Sequence, residues 1–200
     1  MPDKHLDGTL YLANREHPIH ENYIPDVRKV NVTGMSQSMR DDAATALEEM
    51  FAAAKADKVQ LASVSGYRGF TKQSIVYDRK LKRTGSEDKA DELVARPGTS
   101  EHQLGMVMDI ANKGSSQLTA AFGKSKGGKW VAENAHRFGF IVHYQEGWEE
   151  ITGYSYEPWH LRYVGKEYAT AIYESGLPME HFISRHRLEL YTYLIHAAGK

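Results

Sequence analysis

Ser100-Glu101-His102-Gln103-Leu104-Gly105-Met106-Val107-Met108-Asp109 is the stretch on which the reading of this chain turns. Gly105 to Ile110 reads as a buried strand, and strand alternation sets Asp109 opposite to Met106, Met108 and Ile110. His102 stands at the strand entrance, so it and Asp109 can point at one locus, with Gly105 letting the backbone pass close to it. About fifty residues further on, Glu157-Pro158-Trp159-His160 offers a second imidazole and a second carboxylate. Pro158 favours local extension and argues against a helix carrying two histidines four apart. Two histidines and one carboxylate match the ligands of a catalytic zinc, with a fourth position open and Glu157 spare as general base. Spacing alone leaves another reading open: His102 and His160 as hydrogen-bonded core histidines, with Asp109 as a cap.

Outward from that stretch, helices and strands mix. Val59 to Val64 alternates as a strand and ends in Ser65-Gly66-Tyr67-Arg68-Gly69, a turn that throws Tyr67 and Arg68 off the strand end. A helix containing Gln73 follows over Thr71 to Lys82, and a short one over Asp88 to Val94 stops before Pro97. Residues 36 to 56 form the strongest helix, capped by Ser36 or Ser38, with an apolar stripe of Met39, Ala43, Ala46, Leu47, Met50, Phe51 and Ala54. The first thirty-odd residues read as an irregular arm, with Leu10-Tyr11-Leu12 as a short strand. Downstream, Gly114 to Gly128 reads as a loop with one helical turn around Leu118 to Phe122, Lys129 to Phe138 as a helix ending at Gly139, and Phe140 to Tyr144 as a strand. Gln145 to Tyr156 is a polar, aromatic loop; Trp159 to Val164 is a strand, and Lys166 to Glu174 and Met179 to Ala198 are helices. The expectation is α+β: one domain over 1–200, with an arm over about 1–34, a small central antiparallel sheet flanked by helices, and a C-terminal helix over about 179–198.

Composition narrows the function. Lys and Arg number 25 against 26 Asp and Glu, so no electrostatic footprint for nucleic acid exists. Without cysteine there is no disulfide framework and no thiolate to hold zinc. No apolar run approaches a membrane span. The expectation is a soluble chain, which fits the cytoplasm and, with a leader or anchor removed, the cell envelope equally.

Several motifs in one order carry a resemblance. Ser100-x-His102-x2-Gly105-x3-Asp109, the Ser65-Gly66-Tyr67-Arg68 turn with Gln73 five residues on, and Glu157-Pro158-Trp159-His160-Leu161-Arg162-Tyr163-Val164-Gly165 together resemble the D-alanyl-D-alanine carboxypeptidases, the bacterial zinc peptidases that include the VanY and VanX types. The likeness runs from about Leu10 to Gly176 and takes in Gly128-Lys129-Trp130 and Ile151-Thr152-Gly153-Tyr154. It implies that His102, Asp109 and His160 hold Zn2+. Glu157 would be the base and then the acid for the leaving amine. Arg68 would stabilise the oxyanion, a task its permanently charged fork suits. Ser100 and Gln73 would bind substrate, a peptidoglycan stem peptide or a precursor ending in D-Ala-D-Ala. The activity implied is zinc D,D-carboxypeptidase, of a kind linked to antibiotic resistance. On the same scaffold stand an L,D-carboxypeptidase, a D,D-dipeptidase and an endopeptidase. A zinc-stabilised module that binds cell-wall peptide without cutting it belongs to another class, and it would need neither Glu157 nor Arg68. There are two departures: His143 stands where many relatives carry arginine, which reads as a weaker or different contact to substrate charge or as a bland surface change, and Trp148 lies in the loop that sets pocket length and so the choice of substrate.

Overall fold

The computed structural model describes residues 8–198, the side chains of 190–198 excepted. β1 (Arg28–Lys29) pairs antiparallel with β2 (Ser38–Met39) and leads into α1 (Asp41–Ala56). The expected serine cap gives way here: Ser38 is held in the two-stranded ribbon, so the helix begins three residues later, behind Arg40, without a side-chain cap. Asp41 and Asp42 occupy the first turn instead, where a negative charge meets the positive end of the helix dipole. The stripe Ala43, Leu47, Met50 and Ala54 is buried as its spacing predicts.

β3 (Leu61–Ser65) is followed by α2 (Phe70–Thr84), α3 (Glu87–Asp91) and a single 3-10 turn over Glu101–Leu104. β4 (Val107–Asn112) comes next, then α4 (Ala121–Lys124) and α5 (Lys126–Asn134). The loop expected through Gly128 ends early because the Ser125 hydroxyl accepts the Gly128 N–H at 3.1 Å, capping a helix whose first turn contains both glycines. A 3-10 turn over Ala135–Phe138 and a left-handed Gly139 (φ 90°) deliver the chain to β5 (Phe140–Val142). α6 (Glu149–Thr152) interrupts the aromatic loop; β6 (His160–Tyr163), α7 (Lys166–Ser175) and α8 (Met179–Ala198) complete the order.

The main sheet runs β3-β4-β6-β5, every pair antiparallel. One face packs against α1 and α5 through Leu47, Met50, Leu61, Met108, Ile110, Val131, Phe140 and Leu161. Because successive strand residues face opposite ways, Asp109 and His160 are turned to the other face by the burial of Met108, Ile110 and Leu161. α7 and α8 close a second apolar cluster with Ile141, Val164, Ile172 and Met179, into which Leu10 of the arm is tucked. Leu10 to Leu12 is not a strand: the Arg162 guanidinium donates to the Thr9 carbonyl at 2.7 Å and the Tyr11 carbonyl at 2.9 Å, taking oxygens a ladder would need. The architecture is α+β in one domain. Among the described residues no helix is long and apolar enough to cross a membrane.

Candidate active site

The sheet register builds the centre. Asp109 of β4 lies directly across from His160 of β6, and cross-strand neighbours have side chains within contact range. Asp109 Oδ1 is 3.2 Å from His160 Nδ1, and Asp109 Oδ2 is 3.3 Å from His102 Nε2. One donor atom from each of the three residues lies within 4.8 Å of the others. All three are buried, at 3–5% exposure. Tetrahedral zinc with bonds of about 2.0–2.1 Å sets its donors roughly 3.3 Å apart, near the two Asp109–imidazole contacts and inside the 4.8 Å that bounds all three donors. Asp109 Oδ1 has no well-aligned donor despite its burial, the condition a cation relieves. The residues therefore fit a zinc ion.

His102 reaches this point from the 3-10 turn. Its Nδ1–H donates to the Gly66 carbonyl at 2.7 Å, which leaves the Nε2 lone pair toward Asp109. Gly105 serves differently from the expectation. It ends the 3-10 turn at φ 72°, pressed against the arm, where an added Cβ would lie 3.0 Å from Val27. It shapes the entry to β4 and does not approach the site.

The side chain that sequence reasoning passed over is Glu101. It is 2% exposed and reaches four neighbours. His143 Nδ1 lies 2.9 Å and His160 Nε2 3.0 Å from its Oε2, Tyr144 donates its hydroxyl at 3.4 Å, and Arg162 pairs with Oε1. His143 also contacts Glu180 of α8 at 3.1 Å. Glu101 accepts from Nε2 of His160 and so turns Nδ1 to the cleft. His143, read from the sequence as either a changed contact to substrate charge or a bland surface change, is a buried cross-link between this carboxylate and α8. Nothing local in the sequence marked either Glu101 or the buried guanidinium of Arg162.

Glu157 enters by a turn. His160 N–H donates to the Glu157 carbonyl at 3.1 Å across Pro158 and Trp159, with proline in its favoured second position. Glu157 Oε2 is 3.7 Å from His160 Nδ1. Arg68 follows the end of β3, where Ser65 pairs with Asp109, and its N–H donates to the His102 carbonyl at 3.1 Å. Its Nε is buried with no acceptor. Arg68, Ser100, His102, Asp109, Glu157 and His160 all line one cleft of about 240 Å³. Ser100 is buried there and spends no hydroxyl hydrogen bond on capping the 3-10 turn behind it. Gln73 does not join them. It is fully buried behind the wall, donating its amide to the Ala95 carbonyl at 2.6 Å; its position on the inner stripe of α2 aims it at the loop and not at the cavity.

Charge in the cleft is finely set. Burial raises Glu157 to about 7 against the pull of His160 and Arg68, with Asp109 adding to the rise. Burial would lower His160, but its bonds to Asp109 and Glu101 outweigh that and hold it at about 9 without a cation. His102 is lowered, by burial and then by the Arg68 charge. Asp109 sits below the carboxylate range: burial opposes, and the two imidazoles prevail. Burial lowers Arg68 too, yet a guanidinium stays charged at any physiological pH.

An α+β domain that gathers a His-Asp-His cluster, a carboxylate of raised pKa and an unpaired arginine in one buried cleft is a peptidase by class. The family model of the VanY D-alanyl-D-alanine carboxypeptidases matches residues 36–166, and the chain belongs to that family. The protein YodJ of Bacillus subtilis (strain 168) is 42% identical over 187 residues, covering 90% of this chain and 68% of the relative. Among solved structures, the LdcB LD-carboxypeptidase superposes with a TM-score of 0.81 at 42% identity, covering 86% of this chain and 84% of that one. A vancomycin-resistance D,D-pentapeptidase VanY in complex with Zn(II) superposes with a TM-score of 0.77 at 38% identity, covering 88% and 99%.

Proposed function

We propose that this chain is a zinc-dependent carboxypeptidase that hydrolyses the terminal D-Ala-D-Ala bond of peptidoglycan stem peptides or their precursors, acting as one domain with its arm and C-terminal helix. The observation that carries the reading is the meeting of Glu157 and the unpartnered Arg68 with the His102, Asp109 and His160 cluster in one buried cleft. His102 Nε2, one oxygen of Asp109 and His160 Nδ1 hold the zinc. Bound there, the metal supplies Lewis acidity to water and to the scissile carbonyl. Glu157, whose Oε2 lies 3.7 Å from His160 Nδ1, takes the proton from the attacking water and returns it to the leaving amine. Arg68 faces the carbonyl oxygen as negative charge grows on it. Ser100 binds substrate at the cleft wall. Gln73 supports that wall through Ala95, with its Oε1 buried and without a partner.

The likeness to LdcB favours a second reading on the same residues: cleavage of an L,D bond, releasing a single D-alanine from a tetrapeptide. A panel of stem peptides ending in D-Ala-D-Ala or in one D-Ala, with the free dipeptide, read by mass spectrometry, separates the two. Loss of one residue from the pentapeptide supports the D,D reading; loss of one residue from the tetrapeptide alone replaces it with the L,D reading. No cleavage of any member by the zinc-loaded protein removes the carboxypeptidase assignment.

A further inference from the structure

Lys80 is a cation in the cleft for which the reaction above has no task. It stands on α2 one turn after Val76, and both line the cavity that contains Glu157 and His160. Among the described residues no hydrogen bond or ion pair engages its ammonium. Leu93 and Leu118 line the same cavity. A half-buried ammonium without a hydrogen-bonded or ion-paired partner costs free energy, and an arriving anion would offset that cost. Burial and the nearby Arg83 lower its pKa, whereas Glu157 raises it.

The charges of the cleft say what that anion is. Glu101 is neutralised by Arg162 and His143. Asp109 is engaged by the imidazoles, and Arg68 lies in the field of Asp109 and Glu157 while its Nε keeps no acceptor. A peptide cut at its C-terminus brings at least one carboxylate of its own into this cleft, and that carboxylate needs a counter-charge. We propose that Lys80 binds a carboxylate of the substrate peptide and so selects peptides that carry one beside the cleaved bond. The inference rests on the carboxypeptidase reading. Its carboxylate has two sources: the C-terminus of the leaving residue, or the side chain of an upstream residue.

A substrate-by-enzyme cycle tests it. Wild type and Lys80→Met are compared on three forms of one stem peptide: the free acid, its C-terminal amide, and a form with the upstream side-chain carboxylate amidated. Binding is measured by calorimetry with Glu157→Ala as background, and turnover by mass spectrometry. For the free acid, Lys80→Met is expected to weaken binding and raise KM by about tenfold, with kcat within about twofold, and Lys80→Arg to recover most of the loss. If amidating the C-terminus removes the difference between lysine and methionine, the terminal carboxylate is the partner. If the side-chain amide removes it, the upstream carboxylate is. An equal effect of Lys80→Met on all three forms, or none, overturns the proposal, and a fall in kcat alone would assign Lys80 to Glu157 instead. Thermal unfolding and zinc content of the variant exclude a folding defect. Wild-type cleavage of the free acid keeps the peptidase reading standing when the Lys80 proposal fails; absence of any cleavage or binding by wild type takes down both.

Discussion

His160 belongs to two charge clusters at once, and they are built on opposite plans. On its Nε2 side stands the Glu101 cluster, saturated: one carboxylate receives contacts from His143, His160, Tyr144 and Arg162, and Arg162 spends its other hydrogens on backbone carbonyls of the arm and of Tyr163. On its Nδ1 side stands the cleft, under-partnered: Asp109 Oδ1 and Arg68 Nε are buried without aligned partners, and Glu157 is raised to about 7. A saturated buried network fixes geometry, because each member would leave another unpaired on moving. An under-partnered one keeps its capacity for a metal and a substrate. The domain holds one imidazole between a frame that cannot adapt and a cavity that is incomplete alone.

The largest expected effect falls on the open side. Glu157→Ala should cut kcat by at least about 10²-fold, the size of a lost general base, while zinc content by metal analysis stays at wild type. Zinc lost together with activity would make Glu157 a ligand and erase its separation from the cluster. Chelation should likewise abolish turnover, with recovery on adding zinc.

Next comes the saturated side. Glu101→Ala strands the Arg162 charge in the interior, and breaking a buried pair in that way costs about 3–5 kcal/mol. Urea unfolding should show that loss with zinc absent, so that metal occupancy plays no part. A variant with wild-type stability would show Glu101 to be a tuner of His160 and not a frame.

A smaller effect has the opposite sign. The Glu157 carboxyl is raised from 4.5 to about 7 by burial. Between those values the folded state holds a proton that the unfolded chain has released, so this residue costs stability progressively as pH rises through that window. Glu157→Gln should therefore raise the Tm of the metal-free protein at pH 8 by a few degrees, with little change at pH 4. A lower Tm at pH 8 would mean the cleft tolerates this charge without strain.

The smallest lies away from the cleft. Asp91 is held below its ordinary value by its bond to Arg96, against burial, with Tyr77 assisting at 2.7 Å. A lowered acid adds stability above its unfolded pKa of about 3.9 and loses it as pH falls through the folded value. Tyr77→Phe should cost about 1 kcal/mol at pH 7, and the gap to wild type should close in acid. Chemical unfolding at both pH values checks it.

Local signals read the elements well and the frame poorly. The stripe of α1 and the stop at Gly139 were plain because periodicity and left-handed glycine act within a few residues. The start of α1 was misplaced because Ser38 answers to Lys29 of β1, a partner nine residues back. Arg162 looked like one more residue of a motif, and Glu101 like a spacer between Ser100 and His102. Their pairing, across 61 residues, is visible only once β4 and β6 are joined.

By itself the sequence determined the chemistry on offer: imidazoles, carboxylates and an arginine in an order shared with one peptidase family, on segments whose periodicity sets their type. Tertiary structure alone decided which atoms those groups present. The β4–β6 register puts Asp109 against His160, the Gly66 carbonyl and Glu101 orient the two rings, and the Ala95 carbonyl draws Gln73 out of the cleft. The reason is range: propensity and pattern act over a turn or a pleat, whereas an imidazole's orientation is set by whichever distant group the folded chain places behind it.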